Sequence, residues 1–429
     1  MRWMIDRAGP GTLRVLMLTA ALLVVALRPS VAHATKLTIY PLLATWYEYN
    51  DNLLATAEES DEEKLADSSI TVQPALRVRY ESVRTEAEIG GQAAFQWFFN
   101  EQSENGLPDL VEGHALYGVW LTPSTRIEAS DDLGFFFDSR DTIGTQSQEL
   151  LQVQTASITN TIGLGLTHIF DLRNQVAGKY EFVTNEYEDE DLADVVTHRP
   201  TIEYEHRVSP VHTIVVFGRF TRNIFDPEFD FLRRIWDSDA RMDEEFPTEL
   251  RTDNDFDTYV PGVGLDYRMT ATLSFSVRSG MIVPARLVDN SYQLDELEWY
   301  QVVSAEKNWQ MVRLGVGYER DLEPASGINT AVLSQNYNAD LTEVWTRKFE
   351  TSQNAYFNRA TQLDGDFDTY AGAVAANYYI APWIGIGAGY QHIRQYSDLG
   401  ADDTETITNR ALFTLEISTP QADSLSLDL

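Results

Sequence analysis

Residues 258–280 read TYVPGVGLDYRMTATLSFSVRSG, and polarity alternates with a period of two on both sides of Met269-Thr270. Tyr259, Pro261, Val263, Leu265 and Tyr267 share one parity; Gly262, Gly264, Asp266 and Arg268 share the other. After the turn, Ala271, Leu273, Phe275 and Val277 oppose Thr272, Ser274, Ser276 and Arg278. Period two marks a strand with two unlike faces, and a two-residue connection makes the pair a hairpin. The apolar face of such a ribbon must be covered by a protein core or by lipid.

The pattern recurs from end to end. Sixteen segments carry it: 37–49, 70–81, 85–99, 112–122, 125–137, 157–169, 174–187, 197–207, 211–224, 257–267, 271–281, 308–319, 327–336, 368–379, 383–396 and 406–418. Seven short connections interleave strictly with eight longer ones, the longest from Phe225 to Phe256. Sixteen strands with one apolar face each would need a second layer, and no amphipathic helix supplies it. Closure of the sheet on itself removes that need, and it leaves no backbone group unpaired in hydrocarbon. The expectation is therefore an all-β fold: a transmembrane antiparallel β-barrel of about 16 strands, within a range of 14–18, with short periplasmic turns and long extracellular loops. Tyr259 and Tyr267 then stand roughly 19 Å apart in height, close to the two lipid interfaces.

The chain start fits export. Arg2, Arg7 and Arg14 precede an apolar run from Val15 to Leu27, and Ala32-His33-Ala34 places small residues two apart. This is the pattern of a secretory signal peptide cleaved after Ala34. The organisation expected is 1–34 signal peptide, 35–418 barrel and 419–429 tail. The chain has no cysteine, which excludes thiol chemistry and Cys-ligated metals. Its formal net charge of −34 argues against nucleic acid as a partner.

The polar face carries both signs. Its expected pore-lining residues are Arg77, Arg79, Glu86, Glu88, Lys179, Glu181, Arg199, Glu203, Glu205, Arg207, Asp266, Arg268, Arg278 and Arg313, joined by Arg126, Glu81, Glu128 and Glu319. They read either as walls of a water-filled pore or as a ladder of cross-strand ion pairs that holds register. Acid concentrates in the long connections. Residues 51–67 hold seven carboxylates, and 226–257 hold 12 against four basic residues. Such loops bind divalent cations, repel anions or steer cationic solutes, or they simply stay solvated.

One internal repeat stands out. Asp253-Asn254-Asp255-Phe256-Asp257-Thr258-Tyr259 matches Asp364-Gly365-Asp366-Phe367-Asp368-Thr369-Tyr370. Its alternate carboxylates resemble the start of a calcium loop, but the twelfth positions are Gly264 and Ala375 rather than Glu. What remains is the opening of a strand, with Asp in the loop and Tyr at the interface. No catalytic or phosphate-loop motif appears, so neither an enzyme nor a cofactor is expected.

Tyr47-Glu48-Tyr49-Asn50-Asp51-Asn52-Leu53 resembles the Y-x-D-N opening of outer-membrane β-barrel porins of the second BBP class, and Pro74-Ala75-Leu76-Arg77-Val78-Arg79-Tyr80 reinforces the likeness. The resemblance implies outer-membrane lipid and lipopolysaccharide as surroundings, the barrel-insertion machinery as a partner, and an association with exopolysaccharide secretion. The expected function is a porin-like channel for small polar solutes. The alternatives are the barrel of an exopolysaccharide export system, working with periplasmic export proteins, and a barrel enzyme. The chain departs from such barrels at its end, where Leu427-Asp428-Leu429 stands instead of an aromatic residue.

Overall fold

The computed structural model describes residues 36–52, 66–100, 108–136, 157–187, 194–225, 256–287, 297–324, 331–362, 365–398, 404–418 and 425–428. The expected signal peptide, most of both acidic loops and the first carboxylates of the repeat lie outside these residues.

The described chain is all strand. β1 is Lys36–Asn50, β2 Asp67–Glu81, β3 Thr85–Phe98, β4 Pro108–Thr122, β5 Thr125–Phe136 and β6 Ser157–Ile169. β7 is Asn174–Tyr187, β8 Val195–Ser209, β9 His212–Phe225, β10 Phe256–Thr270, β11 Leu273–Leu287 and β12 Glu298–Asn308. β13 is Val312–Pro324, β14 Ala331–Thr346, β15 Phe349–Gln362, β16 Gly365–Ala381, β17 Ile384–Ser397 and β18 Thr404–Ser418. Each pairs antiparallel with the next, and β18 returns to β1 through Leu42↔Ser418 to Asn50↔Arg410. The sheet is a closed 18-stranded barrel. A short β19, Leu425–Asp428, pairs with the first residues of β1 through Lys36↔Asp428 to Ile39↔Leu425, continuing the β18 edge.

The strand number corrects the expectation of about 16. β12 and β15 are the additions, and the segments expected at 308–319 and 327–336 lie instead at Val312–Pro324 and Ala331–Thr346. Both added strands alternate poorly. β12 puts Gln301 on its apolar face and Tyr300 and Val302 on the other, while β15 has Thr351 and Gln353 opposite Ser352 and Asn354. The hairpin turn of the 258–280 segment also falls later, at residues 271–272. Connections still sort by end. One rim has only short turns, such as 123–124, 210–211 and 347–348; the other ranges from residues 226–255 down to 363–364. A long outer loop is thus not universal.

The two faces are told apart by burial. Thr38, Ser69, Thr71, Val215, Asn223, Thr258 and Ile282 are buried and share the parity of the polar positions, which marks the concave side; Val196, Leu322 and Asp368 are buried on the other parity. Elsewhere that other parity is mostly apolar yet exposed, with Val263 60% and Ile202 61% accessible. An exposed exterior on which apolar side chains predominate is stable against acyl chains, not against water.

At β10–β11 the wall is creased. An added Cβ at Gly280 would lie 2.6 Å from the Pro261 carbonyl oxygen, at Gly262 2.7 Å from that of Ser279, and at Gly264 2.7 Å from that of Val277. No other side chain tolerates backbone that close. The seam is fastened at the other rim. Asp51 accepts from the Asn409 backbone N–H and side-chain amide, both at 2.7 Å, and Asn52 Nδ2 donates to Ile407 O at 3.0 Å. The Y-x-D-N residues that carry the family resemblance therefore tie the first strand to the last.

Candidate functional site: a charged recess in the barrel wall

Register gathers inward side chains of β7–β13 around the crease. Phe217 on β9 lies opposite Gly262, and Gly280 opposite Tyr300 on β12. With two glycines between them, Phe217 and Tyr300 meet edge to face at 5.7 Å. Arg219 sits over the Tyr300 ring at 4.6 Å and reaches Asp321 on β13 at 2.5 Å. In a circular barrel of 18 strands, strands four apart stand ~23 Å from each other. An Arg–Asp contact spans only about 14 Å between Cα atoms. The contact therefore requires the wall to bend sharply, and the glycines of β10 and β11 permit the bend.

The result is a recess of about 220 Å³ whose lining includes Lys179, Glu181, Arg199, Glu203, Arg278 and Tyr300. Its cations differ in freedom. Arg278 is held by Asp266 in a two-pronged contact of 2.7 and 2.9 Å, and Ser276 donates to the same carboxylate at 2.7 Å. Arg219 is held by Asp321, with side chains only 11% and 5% exposed. Arg199 is loosely engaged by Glu181 at 3.6 Å. Lys179 and Glu203 form no ion pair among the described residues. The arginines are each matched by a carboxylate, so the recess is close to charge balance, and Lys179 and Glu203 stand in it without a direct ion pair among the described residues.

The fourteen expected pore-lining residues divide into three groups. Lys179, Glu181, Arg199, Glu203, Asp266 and Arg278 converge at the recess or on its arginine. Arg77, Arg79, Glu86 and Glu88 gather at the short-turn rim. There Arg79 bridges Glu81 at 2.7 Å and Glu86 at 2.8 Å, Arg77 meets Glu88 at 3.4 Å, and Arg126 meets Glu128 at 2.6 Å and Glu86 at 3.4 Å. At this rim the register-holding ladder describes the geometry. Arg313 likewise pairs with Glu306 at 3.0 Å. Glu205, Arg207 and Arg268 form no ion pair among the described residues, and Arg207 and Arg268 border a second recess of about 390 Å³ near that rim.

Sequence reasoning missed Arg219, Asp321, Tyr300 and Phe217. Tyr300 lies in an unexpected strand, and Asp321 lies past the expected end of its own. The signal that could have found them is the glycine set 262, 264 and 280, which marks a close approach. On β14, β15 and β17 the inner face is dominated by amides instead, including Asn336, Asn338, Asn354, Asn358 and Gln391, with Tyr356 donating to Asn336 at 2.9 Å.

No protein-family model matches the chain, and no curated protein matches it in sequence. Solved structures resemble it only in outline. OccAB3 of Acinetobacter baumannii is 10% identical with a TM-score of 0.45, over 89% of this chain and 98% of that one. OccK9 (OpdG) of Pseudomonas aeruginosa is 9% identical with a TM-score of 0.47, over the same shares. OccK2 (OpdF) of Pseudomonas aeruginosa, solved in complex with glucuronate, is 7% identical with a TM-score of 0.45, over 89% and 98%.

Proposed function

We propose that the chain is an outer-membrane channel that passes small polar solutes through the lumen of the barrel, selecting them at the β7–β13 recess. The observation that carries this reading is the combination of a closed sheet, an exposed apolar exterior and a concave wall that keeps Lys179 and Glu203 unpaired beside tethered arginines. A wall built only for stability would pair its charges, as the β2–β5 rim does. Membership of the second BBP class is part of the proposal and is supported by the seam role of Asp51 and Asn52. Nothing in the recess calls for a covalent step; its groups bind and orient.

Planar-bilayer recording of the refolded mature chain tests the reading. Steady conductance is expected, with a reversal potential that moves toward cation preference in Lys179→Glu. A pore that stays closed until polysaccharide is added would favour the export alternative. A silent barrel with hydrolytic activity lost on substitution of one Ser or His would favour the enzyme.

A further inference from the structure

The repeated Asp-Phe-Asp-Thr-Tyr segments at 255–259 and 366–370 are repeated in space as well. In each, Phe256 or Phe367 is buried on the concave side, while the following Asp and Tyr face outward. Asp257 lies opposite Arg222 and Tyr259 opposite Phe220; Asp368 lies opposite Arg359 and Tyr370 opposite Phe357. A Phe-x-Arg on one strand thus faces an Asp-x-Tyr on the next, twice. The ring pairs are 4.8 and 4.6 Å apart, and the ion pairs 4.0 and 2.7 Å.

We propose that these two clusters are phosphate-recognition sites on the lipid-facing surface, each taking the phosphorylated headgroup of a membrane lipid. Both arginines stand ten residues along their strands from the short-turn rim, counted from His212 and from Phe349. At about 3.3 Å per residue and a tilt near 45°, that is roughly 23 Å, the upper edge of the apolar band. Headgroup phosphates lie at that level, and aromatic rings beneath an arginine anchor it there.

The carboxylates orient the guanidinium without consuming it. Asp368 takes only the Nε and one terminal nitrogen of Arg359, at 2.8 and 2.7 Å, and the Arg222 and Arg359 side chains remain 45% and 44% exposed. The remaining N–H donors suit phosphate oxygens. In register beside the clusters stand His198, opposite Arg222 and bonded to the Tyr180 hydroxyl at 2.7 Å, and Arg394, opposite Tyr370 and paired with Glu405 at 2.6 Å. The connection above the second cluster is only residues 363–364. A pair that served strand register alone would not need the same aromatic partner and the same height at two separate strand pairs.

The test uses the mature full chain folded in neutral detergent, examined by native mass spectrometry. The probes are diphosphorylated lipid A, the same lipid after dephosphorylation, and inorganic phosphate. Retained lipid A adducts are expected, with about tenfold weaker retention of the dephosphorylated form and a similar loss in R222Q/R359Q, the scale of one charge-assisted contact per site. R222K/R359K, which keeps the charge, is expected to hold the lipid better than R222Q/R359Q, so that a loss is assigned to the site and not to misfolding. Equal retention of the dephosphorylated lipid, or adducts unchanged in R222Q/R359Q, would overturn the proposal. Displacement of lipid A by millimolar inorganic phosphate would overturn the lipid as its source. Both arginines lie outside the lumen, so conductance stands or falls independently.

Discussion

Arg219 shows how one side chain can shape a wall. Its partner Asp321 is four strands away and nearly buried, so the charge pair exists only while the crease holds. Removing one member of a buried pair leaves the other uncompensated, at a cost of about 3 kcal/mol or more. Arg219→Gln is therefore expected to lower the denaturant midpoint in detergent, and R219L/D321L is expected to recover much of the loss. A single variant as stable as the parent would show that the contact does not hold the corner. In the β6–β7 turn, Asp171 accepts from the Asn174 side chain and from the backbone N–H groups of Arg173 at 2.7 Å and Asn174 at 3.0 Å. Asn174 first, then those backbone donors, hold its carboxyl below the usual carboxylate range. Because the folded value is depressed, the turn gains from ionisation above the ordinary pKa and loses that gain as pH falls through the lowered one. NMR titration of this carboxyl is expected to show the depression, and in Asp171→Asn the acid-dependent loosening of the turn should vanish. A midpoint at or above the ordinary value would contradict the hydrogen bonding.

At the scale of elements, glycine decides where the sheet can fold sharply. An added Cβ at Gly280 would press on the Pro261 carbonyl, whereas one at Gly315 meets nothing within 4 Å. Gly280→Ala should destabilise the barrel by about 2 kcal/mol, while Gly315→Ala should stay within about 0.5. Equal effects in unfolding experiments would remove the crease from the account. The same elements show what the residues declared in advance. Hairpins such as β10–β11 and β6–β7 were legible because, beside their short turns, runs such as Val263, Leu265 and Tyr267 or Ile162, Leu164 and Leu166 share the outward parity while glycine and polar residues share the inward one. β15 was not, because Thr351, Gln353 and Arg359 stand on its outward face among Ala355 and Phe357. Paired neighbours on both sides, not its own polarity, make it a strand. For the recess, charge on the polar parity was readable, yet which charges converge was not. That depends on a bend between strands distant in sequence.

For the whole molecule, closure is what permits everything else. The seam from Leu42↔Ser418 to Asn50↔Arg410, continued by β19 at the short-turn rim, leaves no open edge to template aggregation. It also divides space into a lumen with a charged arc and an amide-rich arc, and an exterior of exposed apolar side chains. The absence of cysteine makes that division easy to probe, since any introduced thiol is unique. The most direct test is a series of single spin labels along β10 at positions 263 to 268 in reconstituted vesicles, read by collision with oxygen and with a water-soluble nickel complex. Oxygen accessibility should peak at Val263, Leu265 and Tyr267, and nickel accessibility at Gly264, Asp266 and Arg268. Nickel reaching both parities equally, or the two signals exchanged in phase, would contradict a barrel with acyl chains outside and water within.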